Sequence, residues 1–368
     1  MTTYLIAGYY GMKNTGDDAL QSVSCWGARN FLQAGRLWTT ATTVPIELWR
    51  ASVRPIFKPA PVFPGRNRLS CYLRALQSKG IIMGGGSVFH SCHYMSLVSD
   101  LLRLSGKGPH AALGVSIGPF RSSQAERDCA KLLRRFHFLG LRDKESADLA
   151  RALAPQVPSA LTFDLAPLLT LAAPQTDRTD LAPTRRSGIG FALCDYERFV
   201  GGNLEVEKRR RGELLRLVRL VAGHGEEIVL FEFNGHDNFG DRCLNEALLN
   251  ELSGISSVRL VRYHPDPQVI LREISKLKAM VAMRLHAGVF GYLTQTPTVM
   301  LSYNPKCAGW SEQIGADPST LFDSADFDAA EVIQILDRAV AGVVPLPALP
   351  VKRAQELALK NWSWVHDR

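Results

Sequence analysis

Short apolar runs and longer segments with apolar residues every three to four positions alternate along the whole chain. Runs of strand length stand at residues 4–8, 80–83, 111–116, 136–141 and 161–163, and helix-period segments at about 17–34, 67–78, 93–104, 122–135 and 146–153. Strands of a parallel sheet covered by helices read as continuous apolar stretches, so the alternation predicts such a sheet. Residues 172–184 are polar, hold two prolines and follow neither period, which predicts a linker. A second series then gives strands at 188–193, 227–233, 258–262, 279–283 and 298–301, and helices at about 204–222, 239–252, 266–277, 287–294 and 328–341. The expected architecture is α/β, with two Rossmann-like doubly wound domains facing a cleft. The expected bounds are 1–175 for the first domain, 176–186 for the linker and 187–345 for the second domain. Residues 346–368 are expected to form a helix crossing back to the first domain. In that amphipathic tail Trp362 and Trp364 read as packing residues.

Composition narrows the function classes. The chain has 368 residues, 46% hydrophobic and 21% charged, which excludes disordered, collagenous and coiled-coil classes. No apolar run reaches the length of a membrane span, and the opening residues run into a strand rather than a secretory leader, so a cytoplasmic protein is expected. Seven cysteines without a Cys-x-x-Cys pair predict reduced, mostly buried thiols. Acidic, histidine and cysteine residues do not cluster at ligand spacing, so no metal is expected. Residues 1–180 carry a net +9 and residues 181–368 a net −1. This asymmetry predicts an anionic partner for the first half; nucleic acid is disfavoured because the basic residues do not interleave with aromatics.

Chemistry-bearing residues gather at the predicted strand ends, where helix N-termini converge on a ligand in doubly wound folds. The loop from Gly8 to Leu20 offers Asn14, Gly16, Asp17 and Asp18; one aspartate reads as a helix cap and the other as free to contact a hydroxyl. Gly84, Gly85, Gly86 and Ser87 follow an apolar strand and predict a tight turn facing the cleft. Arg142 and Asp143 stand at another strand end as a local ion pair, with Ser146 as the cap of the next helix. In the second half the buried strand Ala279-Met280-Val281-Ala282-Met283 runs into Arg284-Leu285-His286. In extended geometry Arg284 and His286 share a face, suited to a small ligand with carboxylate and phosphate groups. His236 and Lys306 follow neighbouring strands and are expected at the same rim.

Taken in order, these pieces resemble the polysaccharide pyruvyl transferase family. They are the opening loop, the triglycine segment with Ser87 and Phe89, Ser116-Ile117-Gly118-Pro119, Arg142-Asp143 with Ser146, Phe163-Asp164, His236-Asp237, Arg284-Leu285-His286, and Tyr303 with Lys306. The resemblance implies two Rossmann domains as in GT-B glycosyltransferases, with phosphoenolpyruvate as a substrate and no separate cofactor. It also implies a saccharide acceptor, free in a polymer or carried on a polyprenyl diphosphate, which becomes a pyruvate ketal. By position, Arg284 and His286 match the donor-binding motif. On this reading His286 is the general acid, Lys306 and His236 join the donor side, and Asp17 or Asp18 prepares the acceptor hydroxyl. Asn14, Gly16, Gly85, Gly86, Ser87 and Arg142 line the acceptor side. Where relatives often place a second arginine this chain has Ala192-Leu193-Cys194-Asp195, and Arg198 is the nearby candidate. Two other classes compete: a glycosyltransferase or sugar-nucleotide epimerase of the same fold, and a catalytically silent sugar- or membrane-binding protein. The basic first half further suggests peripheral contact with an anionic membrane.

Overall fold

The computed structural model describes residues 1–59, 63–90, 92–173, 185–254 and 257–365; residues 176–184 of the expected linker lie outside them. The chain divides into two compact units. One comprises Met1–Met12, Asp17–Pro174 and Lys352–Arg368, the other Lys13–Gly16 and Gln175–Val351.

The first unit is built on a seven-stranded parallel sheet of order β3-β2-β1-β4-β5-β6-β7. Its strands are β1 (Thr3–Ala7), β2 (Arg36–Thr39), β3 (Val53–Pro55), β4 (Gly80–Phe89), β5 (Ala111–Ile117), β6 (Phe138–Leu141) and β7 (Ser159–Leu161). The connecting helices are α1 (Thr15–Leu32), α2 (Ile46–Arg50), α3 (Arg66–Leu76), α4 (Cys92–Leu104), α5 (Ser123–Leu133), α6 (Lys144–Leu153) and α7 (Leu169–Ala172). The core joins Leu5, Ile81, Met83, Val115 and Leu139 from the strands to Val98, Leu101 and Leu133 from the helices.

Strand β4 differs from the expected turn. Its ladder with β5 runs on through the glycines, pairing Gly84 with Leu113, Gly86 with Val115 and Ser87 with Ser116. Close packing explains the glycines: a Cβ on Gly84 would lie 1.9 Å from Ser24 Oγ and 2.5 Å from the Tyr10 hydroxyl. That hydroxyl donates to the Gly84 carbonyl at 2.5 Å. Gly85 and Gly86 have φ of +79° and +90°, values that a side chain resists.

The C-terminal segment belongs to this first unit. Trp362 is buried and stacks on Phe31, with a Cβ on Gly27 excluded by its ring. Trp364 stacks on Phe138. Between them the buried Asn361 accepts from Gly114 N at 2.7 Å and from Thr162 Oγ1 at 2.9 Å, and donates to Phe163 O at 3.0 Å. One side-chain amide thus ties the C-terminal segment to β5 and to the residues that follow β7.

The second unit carries a six-stranded parallel sheet of order β10-β9-β8-β11-β12-β13. Its strands are β8 (Ile189–Ala192), β9 (Ile228–Phe231), β10 (Val258–Val261), β11 (Ala279–Ala282), β12 (Thr298–Ser302) and β13 (Leu321–Asp323). The helices are α8 (Tyr196–Val200), α9 (Leu204–Gly223), α10 (Arg242–Glu251), α11 (Pro267–Ser275), α12 (Leu285–Leu293), α13 (Pro305–Gln313) and α14 (Ala329–Val340); α15 (Val351–Leu359) follows and, from Lys352 on, belongs to the first unit. Strands β8, β9, β11 and β12 bury nearly every residue, as a sheet covered on both faces requires.

Candidate active site

In the second unit the residues expected at the donor side collect at the C-terminal ends of β8, β9, β11 and β12. Strand β11 ends at Ala282, and Arg284 already occupies the N-cap of α12 with φ −65° and ψ 123°. The expected extended run through His286 is therefore replaced by a helical first turn. The sequence Leu-His-Ala-Gly-Val-Phe-Gly-Tyr-Leu has no residue that stops a helix, and seven of its residues besides Leu285 are buried.

Arg284 is mostly buried, and its guanidinium is fixed by Asp241. Nε donates to Asp241 Oδ1 at 3.2 Å and Nη2 donates to the same oxygen. The other carboxylate oxygen accepts from Asn234 N at 2.8 Å. Burial alone would lower the Arg284 guanidinium, but the adjacent carboxylate outweighs it and holds the group above its usual range. Burial pushes the Asp241 carboxyl up, opposed by the guanidinium and by the backbone amides. A fully buried carboxylate paired with one arginine leaves the rest of that fork, Nη1 included, available for an anion. Asp241 was missed from sequence. The predicted helix at 239–252 places Asp241 inside it, whereas Asp241 stands at the N-cap of α10 and its side chain makes no cap bond.

Two further groups stand close to Arg284. Tyr303 follows β12, packs against Tyr196 with ring centroids 4.5 Å apart, and has its phenol pushed well up, first by burial and then by Cys194. Cys194, after β8, is buried, and burial pushes its thiol up to about 12. Both stay protonated at neutral pH, so Arg284 faces neutral donors rather than competing anions on that side. Lys306 lies in the first turn of α13, which Asn304 caps, with its ammonium 5.8 Å from the Tyr303 ring.

The segment Lys13–Gly16 completes this unit. Gly235 N donates to Lys13 O at 2.8 Å and Thr15 N to Phe233 O at 3.1 Å, forming a bridge between Asn14 and Asn234. Lys13 pairs with Asp237 at the surface, and its ammonium holds that carboxyl below the usual range. Gly16 lies against the His286 ring, where an added Cβ would sit 2.3 Å from Nδ1. The segment therefore sets the position of the imidazole.

His236 is occupied differently from expectation. Its Nδ1 accepts from Asn238 N and Phe239 N, both at 3.2 Å, so the proton rides on Nε2 and the ring braces the loop before α10. Arg198 is exposed, and its Nη1 donates to Cys243 Sγ at 3.8 Å. Asp195 is held bidentately by Arg211. A cavity of about 260 Å³ in the same unit, lined by Tyr292, Thr298, Met300, Trp310 and Leu349, contains none of the expected site residues.

Of the residues expected on the acceptor side, Asn14 and Gly16 belong to the second unit, and Asp17, Asp18, Gly85, Gly86, Ser87 and Arg142 to the first. Asp18 is buried and accepts from Gly11 N at 3.2 Å, while Asp17 is half-buried. Asp17 raises the neighbouring Tyr9 phenol, after burial as the larger cause. Arg142 ties three strand ends together: Nη1 donates to Asp164 at 2.9 Å, Nη2 to Ser87 Oγ at 2.9 Å and Nε to Ser116 Oγ at 2.6 Å. Its shortest ion pair is with the buried Asp164, and the expected pair with Asp143 is present at a longer 3.9 Å from Nε. Asp143 also caps α6 through Ser146 N at 2.8 Å, and the Ser146 hydroxyl accepts from Ile117 N. Among the described residues no group of three histidine, cysteine, aspartate or glutamate side chains could hold a metal ion.

A family model described as polysaccharide pyruvyl transferase matches residues 14–305, a span that contains Asp241 and the Arg284-Leu285-His286 turn and ends one residue before Lys306. The chain belongs to the polysaccharide pyruvyl transferase family. No curated protein matches it in sequence. Solved structures show the fold to be of GT-B type. A UDP-GlcNAc 2-epimerase from Methanocaldococcus jannaschii superposes with a TM-score of 0.62 at 10% identity, covering 97% of this chain and 98% of the epimerase. Anabaena Alr3699/HepE, solved with UDP and glucose, gives 0.59 at 13% identity over 100% and 98%. A UGT transferase from Siraitia grosvenorii, solved with UDP, gives 0.55 at 11% identity over 100% and 99%. In this pyruvyl transferase family member, as in those proteins, two parallel α/β sheets carry alternating helices. No helix among the described residues is long and apolar enough to cross a membrane.

Proposed function

We propose that this protein transfers pyruvate from phosphoenolpyruvate to a saccharide, forming a ketal and releasing phosphate. The observation that carries the reading is Arg284 at the N-terminus of α12, fixed by buried Asp241 beside the neutral Tyr303 hydroxyl and with His286 on the next turn of chain. An anion with two charged ends suits this arrangement. The free side of the Arg284 fork and the Tyr303 hydroxyl bind one end, and the Lys306 ammonium the other.

The chemistry follows from the donor. A proton added to the methylene carbon of the enol phosphate leaves positive charge on the adjacent carbon, where a sugar hydroxyl attacks. Phosphate then departs with the C–O bond electrons, a second hydroxyl closes the ring, and the two hydroxyl protons leave with phosphate and to the acid. His286 supplies the first proton, since an imidazole can both give and regain one near neutral pH. Of the two first-unit aspartates, the more accessible Asp17 prepares the acceptor hydroxyl; Asp18 is spent on the Gly11 amide. No separate cofactor is needed, because the donor carries the activation. The acceptor is a sugar of a polymer or of a lipid-linked precursor.

The competing reading is transfer or epimerisation of a nucleotide sugar, which the fold alone would also accommodate. Incubating the protein with a saccharide acceptor and either phosphoenolpyruvate or a UDP-sugar separates the two. Acceptor-dependent phosphate release with phosphoenolpyruvate is expected, and UDP release in its place would overturn the proposal.

A further inference from the structure

Between Glu47 and Asp100 the chain holds seven basic residues, Arg50, Arg54, Lys58, Arg66, Arg68, Arg74 and Lys79, and no acidic one. Helix α3 lies in this stretch, and it presents its leucines to solvent. Leu69, Leu73 and Leu76 recur at i, i+4 and i+7 and are 51%, 51% and 60% exposed, while the opposite side, Cys71 and Ala75, is buried in the core. Phe63, just ahead of the helix, is 62% exposed. A surface helix ordinarily turns its leucines inward, so a stripe facing water marks a surface that another phase or molecule covers. Basic groups surround the stripe. Arg66 falls on the same helical arc, Arg74 stacks on Trp38 at 4.0 Å, and Lys58 is tied to the helix by its backbone N–H to Asn67 Oδ1 at 3.1 Å.

We infer that this face of the first unit docks on an anionic lipid surface, the leucines and Phe63 entering the interface and the basic collar meeting the headgroups. Asp100 pairs with Arg68 at 3.3 Å, and the other basic residues leave the exposed apolar side chains flanked by net positive charge, which matches that surface in both polarity and charge. A protein partner of equal fit would have to be acidic and apolar at once. The inference is independent of the reaction chemistry.

The test is flotation of the full chain with vesicles of phosphatidylcholine alone or mixed with phosphatidylglycerol, at low and high salt, alongside the oligomeric state in solution. Binding to the mixed vesicles at low salt is expected, and weaker binding at high salt. The exposed-site variant Lys58→Gln/Arg66→Gln should weaken it about thirtyfold, and Leu69→Ser/Leu73→Ser/Leu76→Ser by more than about tenfold. Acceptance of both variants is checked by unchanged circular dichroism. Absence of binding to the mixed vesicles, or binding indifferent to either variant, would overturn the inference. So would a wild-type dimer that the leucine variant dissociates without any effect on vesicles.

Discussion

Arg284 and Asp241 form a buried ion pair across 43 positions of sequence, with both guanidinium contacts falling on one carboxylate oxygen. In the proposed function the pair holds the donor-binding cation in place while leaving Nη1 outside the contact with Asp241. It also ranks two substitutions. Asp241→Asn keeps the shape and removes the charge, so Arg284 loses its orientation and KM for phosphoenolpyruvate should rise about tenfold with kcat less affected. Asp241→Ala leaves the buried cation unpaired and should cost about 3–5 kcal/mol of stability by chemical denaturation. Equal KM values for Asp241→Asn and wild type would remove Asp241 from donor binding.

Gly16 against His286 gives a second expectation. Gly16→Ala inserts a Cβ where the imidazole stands and must push it aside. Since displacement of a reacting group by about 1 Å can cost roughly a hundredfold, kcat should fall by about that factor while donor affinity changes little. Single-turnover rates and a donor titration on the same sample check both halves.

Arg142 predicts a stability effect. Its replacement by alanine leaves Asp164 buried without its ion partner and frees Ser87 and Ser116, for an expected loss of about 3–5 kcal/mol in denaturant melts. Arg142→Lys should recover only part, because an ammonium cannot span three partners from one planar fork.

The buried thiols set the alkaline limit. Burial pushes Cys25, Cys71, Cys129 and Cys194 up to about 12, above the roughly 8.5 of an unfolded thiol. A group with a raised folded value contributes stability that is fully present below its unfolded value and is lost as pH rises toward the folded one. Denaturation midpoints should therefore hold to about pH 8.5 and fall progressively above it. At neutral pH an alkylating reagent should modify exposed Cys243 well before these four, which peptide mapping would show.

Much of the fold was legible because buried strands announce themselves as apolar runs. Strands β2, β3 and β13 were not, since Arg36–Thr39, Val53–Pro55 and Leu321–Asp323 are three or four residues long and partly polar. Pro55 is tolerated because β3 is an edge strand. The triglycine segment misled because glycine signals a turn, whereas here it admits Tyr10 and α1 to a continuing strand. Single residues with local signals, such as Arg284 and His286, stand out in the sequence as candidates. Residues that act through partners distant in sequence do not: no local pattern distinguishes Asp241 and Asn361 from caps or turn residues. Likewise Arg142 and its pair with Asp143 were visible, but the shorter pair with Asp164 depends on which strand ends lie adjacent.

The account turns on Arg284 as the anchor of phosphoenolpyruvate, and calorimetric titration of phosphoenolpyruvate into wild type, Arg284→Ala and Arg284→Lys tests that most directly, with UDP titrated as the control. Saturable binding to wild type, loss in Arg284→Ala, partial return in Arg284→Lys and no binding of UDP are predicted. Phosphoenolpyruvate binding that survives Arg284→Ala unchanged, or UDP binding in its place, would contradict it.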